Sequence, residues 1–204
     1  MAAEKRRYRM DRRADAQERT RLRITDSAIE LHGTIGPSQT SISAVAALAG
    51  VRRSTVYRHF PDEAALFDAC SAHWRAQNPP PDTDAWAAIR SPDDRLRVAL
   101  NELHTFYERT EQMYDNLFRD ETTVAVVRER FTAFRSYVMV ARETLMLGRS
   151  LRGARRRRTQ AALGHAIAFS TWKSLVREQG LSNSDASALL IMLVESTGCN
   201  GTET

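Results

Sequence analysis

The chain has 204 residues and a mass of 23.0 kDa, enough for one or two domains. Hydrophobic residues make up 42% and charged residues 27%, which excludes wholesale disorder. The longest apolar run, residues 188–194, falls far short of the ~18 residues a membrane span needs. The charged N-terminus lacks the apolar stretch of a secretory signal, and two cysteines, Cys70 and Cys199, exclude a disulfide framework. A reducing, cytoplasmic setting is expected. The net charge of +5 is unevenly placed: residues 1–60 hold 12 Lys+Arg against 6 Asp+Glu, while the remainder holds 18 against 19. A basic block beside a near-neutral remainder points to a polyanion-binding module joined to something else.

Residues 1–13 are basic, with almost no apolar periodicity, and read as a flexible basic arm. From Ala14 to about Ile35 the pattern turns helical, with Ile24, Ala28, Leu31 and Ile35 forming one stripe until Gly36-Pro37 stops it. A very short helix follows over about 43–48, with Ser41 as its N-cap. Gly50 offers the positive φ of a tight helix-to-helix turn. A second short helix spans about 52–59, and Asp62 caps a further one running to about Gln77. Asn78-Pro79-Pro80-Pro81-Asp82 is the clearest linker, since three prolines cannot sit inside a helix. The domain division is therefore 14–77 and 78–204.

Ser91-Pro92-Asp93-Asp94 opens the next helix as a capping box, running to about Arg109. Further helices are expected at about 111–118, 121–147, 155–178 and 182–196, the second ending at Gly148 and the third at Gly180. No segment alternates with period two. The expected fold is all-α with about nine helices.

The informative stretch is residues 40–60, TSISAVAALAGVRRSTVYRHF. Two short helices meet at Ala49-Gly50-Val51, and the second carries Arg52, Arg53, Ser54, Thr55, Tyr57, Arg58 and His59 within eight residues. A helix entering a major groove needs such a density of donors, with Val51 and Val56 to anchor it behind.

These residues resemble the TetR-type (tetracycline-repressor-like) transcriptional regulators. Ile24 to Gly36 follows that family's first helix without a gap. Thr40, Ser41, Val45, Ala46, Ala49, Gly50 and Val51 match its second piece, and Thr55, Val56, Tyr57, His59 and Phe60 its third. The resemblance covers about residues 18–70. It implies a three-helix helix-turn-helix DNA-binding domain followed by a helical ligand-binding and dimerisation domain. It implies base contacts from Arg52, Arg53 and Ser54, phosphate contacts from Thr55, Tyr57 and His59, and backbone contacts near Ser41 and Ser43. It also implies a double-stranded operator, a homodimer, a small-molecule effector of unknown identity, no cofactor and no enzyme activity. Two positions depart from the pattern. Glu63 stands where a phosphate-binding Lys is usual, and His32-Gly33 replaces a bulky Phe-Ala pair.

Other features have plainer readings. The basic arm is either a solubilising tail or a source of DNA contacts. The run Arg155–Arg158 reads as a solvated helix entrance, an anionic ligand or surface being the second reading. The aromatic residues of the second half read first as core or dimer interface. Together some are expected to line an effector pocket: His104, Tyr107, Tyr114, Phe118, Phe131, Phe134, Phe169 and Trp172, with His104 or Asp120 as polar anchor. Cys70 and His73 lack further ligands at metal-binding spacing, and no nucleotide, hydrolase or metalloprotease motif occurs. A helical activator or nucleoid-type binder, and more remotely a helical enzyme, are the alternatives.

Overall fold

The computed structural model describes residues 2–198; residue 1 and residues 199–204, with Cys199, lie outside it, as do the side chains of residues 2–7, 9, 11 and 198. Among the described residues all regular structure is helical. No helix is long and apolar enough to cross a membrane. The chain forms two compact units: residues up to Pro79 with Gln112–Arg130, and Pro80–Glu111 with residues from Phe131 onward.

The first unit holds α1 (Ala2–Thr34), a 3₁₀ turn (Pro37–Gln39), α2 (Ile42–Leu48), α3 (Arg53–His59), α4 (Glu63–Gln77), the end of α6 (Pro92–Asp120) and α7 (Ala125–Arg130). Its core joins Ile24 and Ala28 of α1 to Ile42, Val45 and Ala46 of α2, Val56 of α3, Phe60, and Leu66 and Cys70 of α4. Of the apolar stripe of α1, Ile24 and Ala28 are fully buried and Leu31 partly so, but Ile35, just past the helix end, is exposed.

The second unit holds α5 (Thr83–Ala87), the first part of α6, α8 (Thr132–Met146), α9 (Gly153–Ala166), α10 (Phe169–Lys173), a π turn (Ser174–Glu178) and α11 (Asn183–Gly198). Leu96, Leu100, Leu103, Leu145, Leu163 and Trp172 are fully buried in it. Buried Arg95 donates to the carbonyls of Trp86, Ile89, Thr144 and Leu147. It thereby ties the C-terminal ends of α5 and α8 together.

Four boundaries differ from the sequence expectation. α1 begins at Ala2, so residues 2–13 are its first turns and not an irregular arm. That segment lacks an apolar face, but it has neither Gly nor Pro and is rich in Ala, Arg, Lys, Met and Glu, which favour helix. The pieces expected at 92–109 and 111–118 are one helix, because Thr110 Oγ1 donates back to the Phe106 carbonyl at 2.6 Å and lets the polar step pass. The helix expected at 121–147 begins at Ala125, because the β-branched run Thr122-Thr123-Val124 closes onto the Asp120 carbonyl through the Thr123 and Val124 N–H groups, and it divides at Phe131 into α7 and α8. The helix expected at 155–178 breaks after Ile167, whose carbonyl accepts the Tyr107 hydroxyl at 2.6 Å in place of the next helical N–H.

Candidate nucleic-acid interface

The site is built from α2, α3 and the turn between them. Ser41 Oγ accepts the Ala44 N–H at 3.1 Å, which starts α2. At its other end Val51 N–H reaches the Ala46 carbonyl at 2.9 Å and Gly50 N–H the Ala47 carbonyl at 3.1 Å. That paired bonding is a Schellman motif, and it needs the φ of +63° that Gly50 supplies. Val56 and Phe60, both buried, then fix the rotation of α3.

With Val56 inward, Arg52, Arg53, Ser54, Tyr57 and Arg58 face solvent. Arg53 and Tyr57, one turn apart, share a stripe, and Tyr57 is 44% exposed. Ser43 is also exposed. Thr55 and His59 are half-buried on the flank of the helix. Burial, with Arg58 and Arg21 nearby, holds His59 below its ordinary pKa against the pull of Glu18. His59 is thus a neutral imidazole at pH 7, and its Nε2 is buried without a partner. Glu63 is exposed in the first turn of α4, and Asp62 has a structural task there: its carboxylate accepts the Ala65 N–H at 2.7 Å.

Residues far along the chain hold this domain. Asn116 donates from Nδ2 to the carbonyls of His32 (2.9 Å) and Gly33 (2.8 Å) at the end of α1. Asp120 Oδ2 accepts the Ser38 N–H, and Arg119 donates to the Ile35 carbonyl at 3.0 Å while pairing with Asp120. Arg130 grips Asp68 of α4 through two bonds. Asp120, expected as a ligand anchor, is engaged in this clasp. Burial raises its pKa, but Arg119 and the Ser38 N–H and hydroxyl outweigh that and hold it below the usual carboxylate range. No local pattern in the sequence signals these pairings, which join positions 62 to 84 residues apart.

His32 sits behind α2 at the wall of a cavity of about 80 Å³ shared with Ile42, Val45, Leu66, Phe67 and Val124. Its Nδ1 lies 3.5 Å from Cys70 Sγ, whose S–H donates to the Phe67 carbonyl. Burial lowers the imidazole pKa to about 4, against the opposing charge of Asp120, and pushes the Cys70 thiol up to about 12.

Of the residues expected to line a pocket, Tyr107, Phe169 and Trp172 form one aromatic cluster in the second unit, with ring centroids 5.4–5.9 Å apart. Trp172 Nε1 donates to Asn183 Oδ1. His104 lies 1% exposed, its Nδ1 near the Asn183 carbonyl (3.3 Å) and the Ser187 hydroxyl (3.1 Å). Phe131 and Phe134 pair with each other. Tyr114 and Phe118 belong to the first unit, where Tyr114 packs edge-on against Trp74. Among the described residues no group of three His, Cys, Asp or Glu is placed to hold a metal ion.

Comparison with known proteins fits this geometry. Residues 24–70 match the family model of bacterial regulatory proteins, tetR family. A curated relative, the HTH-type transcriptional regulator AcrR of Shigella flexneri, is 45% identical over 53 residues, which is 26% of this chain and 24% of that protein. The match thus spans about a quarter of the relative's length. Among solved structures, a TetR-like transcriptional regulator from Rhodococcus sp. RHA1 aligns with a TM-score of 0.61 at 19% identity, covering 86% of this chain and 93% of that one. NalD, the secondary repressor of the MexAB-OprM multidrug efflux pump in Pseudomonas aeruginosa, aligns at 0.57 and 22% identity, covering 89% and 95%. Residues 24–70 thus carry the tetR-family match, and the all-α fold of the chain is similar to those of TetR-like regulators.

Proposed function

We propose that this protein is a ligand-responsive transcriptional repressor that works in the cytoplasm as a homodimer on a palindromic operator. The observation that carries the reading is the solvent face of α3, where Arg52, Arg53, Ser54 and Tyr57 stand together while Val56 is locked in the core. Arg52 and Arg53 are assigned to base edges, since a guanidinium fork matches guanine. Ser41, Ser43, Ser54, Thr55 and Tyr57 are assigned to positioning on the backbone, and His59 joins them as a neutral hydrogen-bonding group. Two copies related by a twofold axis present α3 to successive major-groove faces about 34–36 Å apart.

Leu189, Met192 and Leu193 leave an apolar strip exposed on α11, while Ala186, Leu190 and Val194 face inward. That strip supports dimerisation through the second unit. The effector is assigned to the aromatic region around Tyr107, Phe169, Trp172 and His104. It acts by favouring a conformer with lower operator affinity. NalD is named a repressor, which is the precedent for the sign of regulation.

Selection of bound duplexes from a random pool tests the proposal. Enrichment of a palindrome with half-sites about one helical turn apart is expected. Recovery of no enriched sequence would overturn the operator reading and favour a nucleoid-type binder.

A further inference from the structure

We infer that Arg21 of α1 is a phosphate-binding residue of the interface, held ready beside the recognition helix. The inference rests on the DNA-binding reading above and adds a residue outside the helix-turn-helix to it.

Arg21 lies 38 positions before His59, yet its Nη1 donates to the His59 carbonyl at 3.1 Å, at the C-terminal end of α3. Its guanidinium carbon stands 4.4 Å from the centroid of the Phe60 ring. The two contacts hold the group from two sides: a hydrogen bond to a helix-end carbonyl and a cation–π contact on a buried ring. A guanidinium has five N–H donors, and His59 takes one. The side chain is only half-buried, so the others have access to solvent.

Arg21 is held from two sides and yet carries no counter-charge. In the same unit Arg119 pairs with Asp120 and Arg130 with Asp68. Among the described residues no carboxylate pairs with Arg21; Glu18, one turn earlier, is near enough to influence His59 but makes no ion pair with Arg21. An immobilised and uncompensated guanidinium at the His59 end of α3 has the chemistry of a backbone phosphate site. Its rotamer entropy is largely lost before the DNA arrives. A capping role alone would require only the one N–H given to His59.

The experiment measures binding of the full-length protein to a fixed-sequence 30-base-pair duplex and follows log K against log salt. Each phosphate contact contributes about 0.9 to the slope. Arg21→Gln is expected to lower the slope by about 0.9 for each Arg21 engaged, with helical content retained by circular dichroism. Arg21→Lys should keep the slope while weakening binding several-fold, because the charge stays and the fork is lost. Arg130→Gln is the control: its charge is neutralised by Asp68, and its slope should match wild type. A wild-type slope for a folded Arg21→Gln protein would overturn the inference, whatever its affinity. Absence of binding by the wild-type protein at low salt would instead overturn the DNA-binding reading itself.

Discussion

Asp120 Oδ2 accepts the backbone N–H of Ser38 at 2.9 Å, across 82 positions of chain. The bond fixes the 3₁₀ turn that leads from α1 into α2, so a carboxylate at the end of α6 positions the helix-turn-helix. Asp120 is 2% exposed, so removing it leaves buried donors unmet. Asp120→Ala is expected to lower unfolding stability by about 2 kcal/mol, and Asp120→Asn by roughly half that, since an amide oxygen still accepts from Ser38. Urea denaturation checks both; an unchanged midpoint for Asp120→Ala would contradict the role.

Gly36 belongs to the same clasp. Its φ of +93° disfavours any side chain, and a Cβ there would collide with Arg119 Nη2. Gly36→Ala should therefore cost more than the ~1 kcal/mol of a simple left-handed strain, also read from the urea midpoint.

The helix-turn-helix was legible because its signals are local: a capping serine, a Gly in a Schellman turn, and Val56 set among polar residues. The all-α class and the last helix, α11, were likewise legible. What was not legible depends on distant partners. No local pattern says that Tyr107 will take the Ile167 carbonyl and break a helix there, or that Asn116 will bind the end of α1. Thr110 stands among polar residues that interrupt the apolar pattern, and its hydroxyl bonds back into the same helix. Arg21 looked like one more basic residue, because sequence does not show which arginines lack a carboxylate.

His32 gives the fold an acid-sensitive point. Unfolded, its imidazole takes a proton near pH 6.5; folded, burial delays that to about pH 4. Between those values the unfolded chain binds more protons, so stability is full above pH 6.5 and falls as pH drops toward 4, by about 3 kcal/mol in total. His32→Phe should abolish that segment of the pH–stability curve and fill part of the adjoining cavity. Guanidinium melts at pH 7, 6, 5 and 4 test this; parallel curves for the two proteins would rule it out.

The α3 assignments separate specificity from affinity. Arg52→Ala or Arg53→Ala is expected to lower the operator-to-random binding ratio by roughly 10- to 100-fold, the ~1–3 kcal/mol of one lost base contact. Tyr57→Phe removes only a hydroxyl and should weaken both duplexes alike. Competition titrations on the selected operator and a scrambled duplex give the ratios. Equal losses on both duplexes for all three variants would remove the base-reading assignment.

The first turns of α1 carry an excess of positive charge. Lys5, Arg6, Arg7, Arg9, Arg12 and Arg13 face Glu4 and Asp11 in sequence, an excess of four positive charges over residues 1–13. Deleting residues 2–13 should reduce the salt dependence of DNA binding without unfolding the domain, whose core begins at Ile24. Fluorescence anisotropy at several salt concentrations measures the slope, and an unaltered value would show that this part of α1 stays clear of the duplex.

Dimerisation is assigned to the exposed strip of α11, and that strip permits a clean test. Leu189 and Met192 are 43% and 59% exposed, so a charge at either is tolerated by the isolated subunit. Inside a subunit interface the same charge would be desolvated without a partner, at a cost of several kcal/mol. Leu189→Glu combined with Met192→Glu should therefore convert a dimer to a folded monomer in sedimentation velocity, with loss of operator binding because the half-sites are no longer linked. Leu190→Glu, at a position only 2% exposed, should instead unfold the second unit. A double variant that still sediments as a dimer would place the interface elsewhere on the molecule.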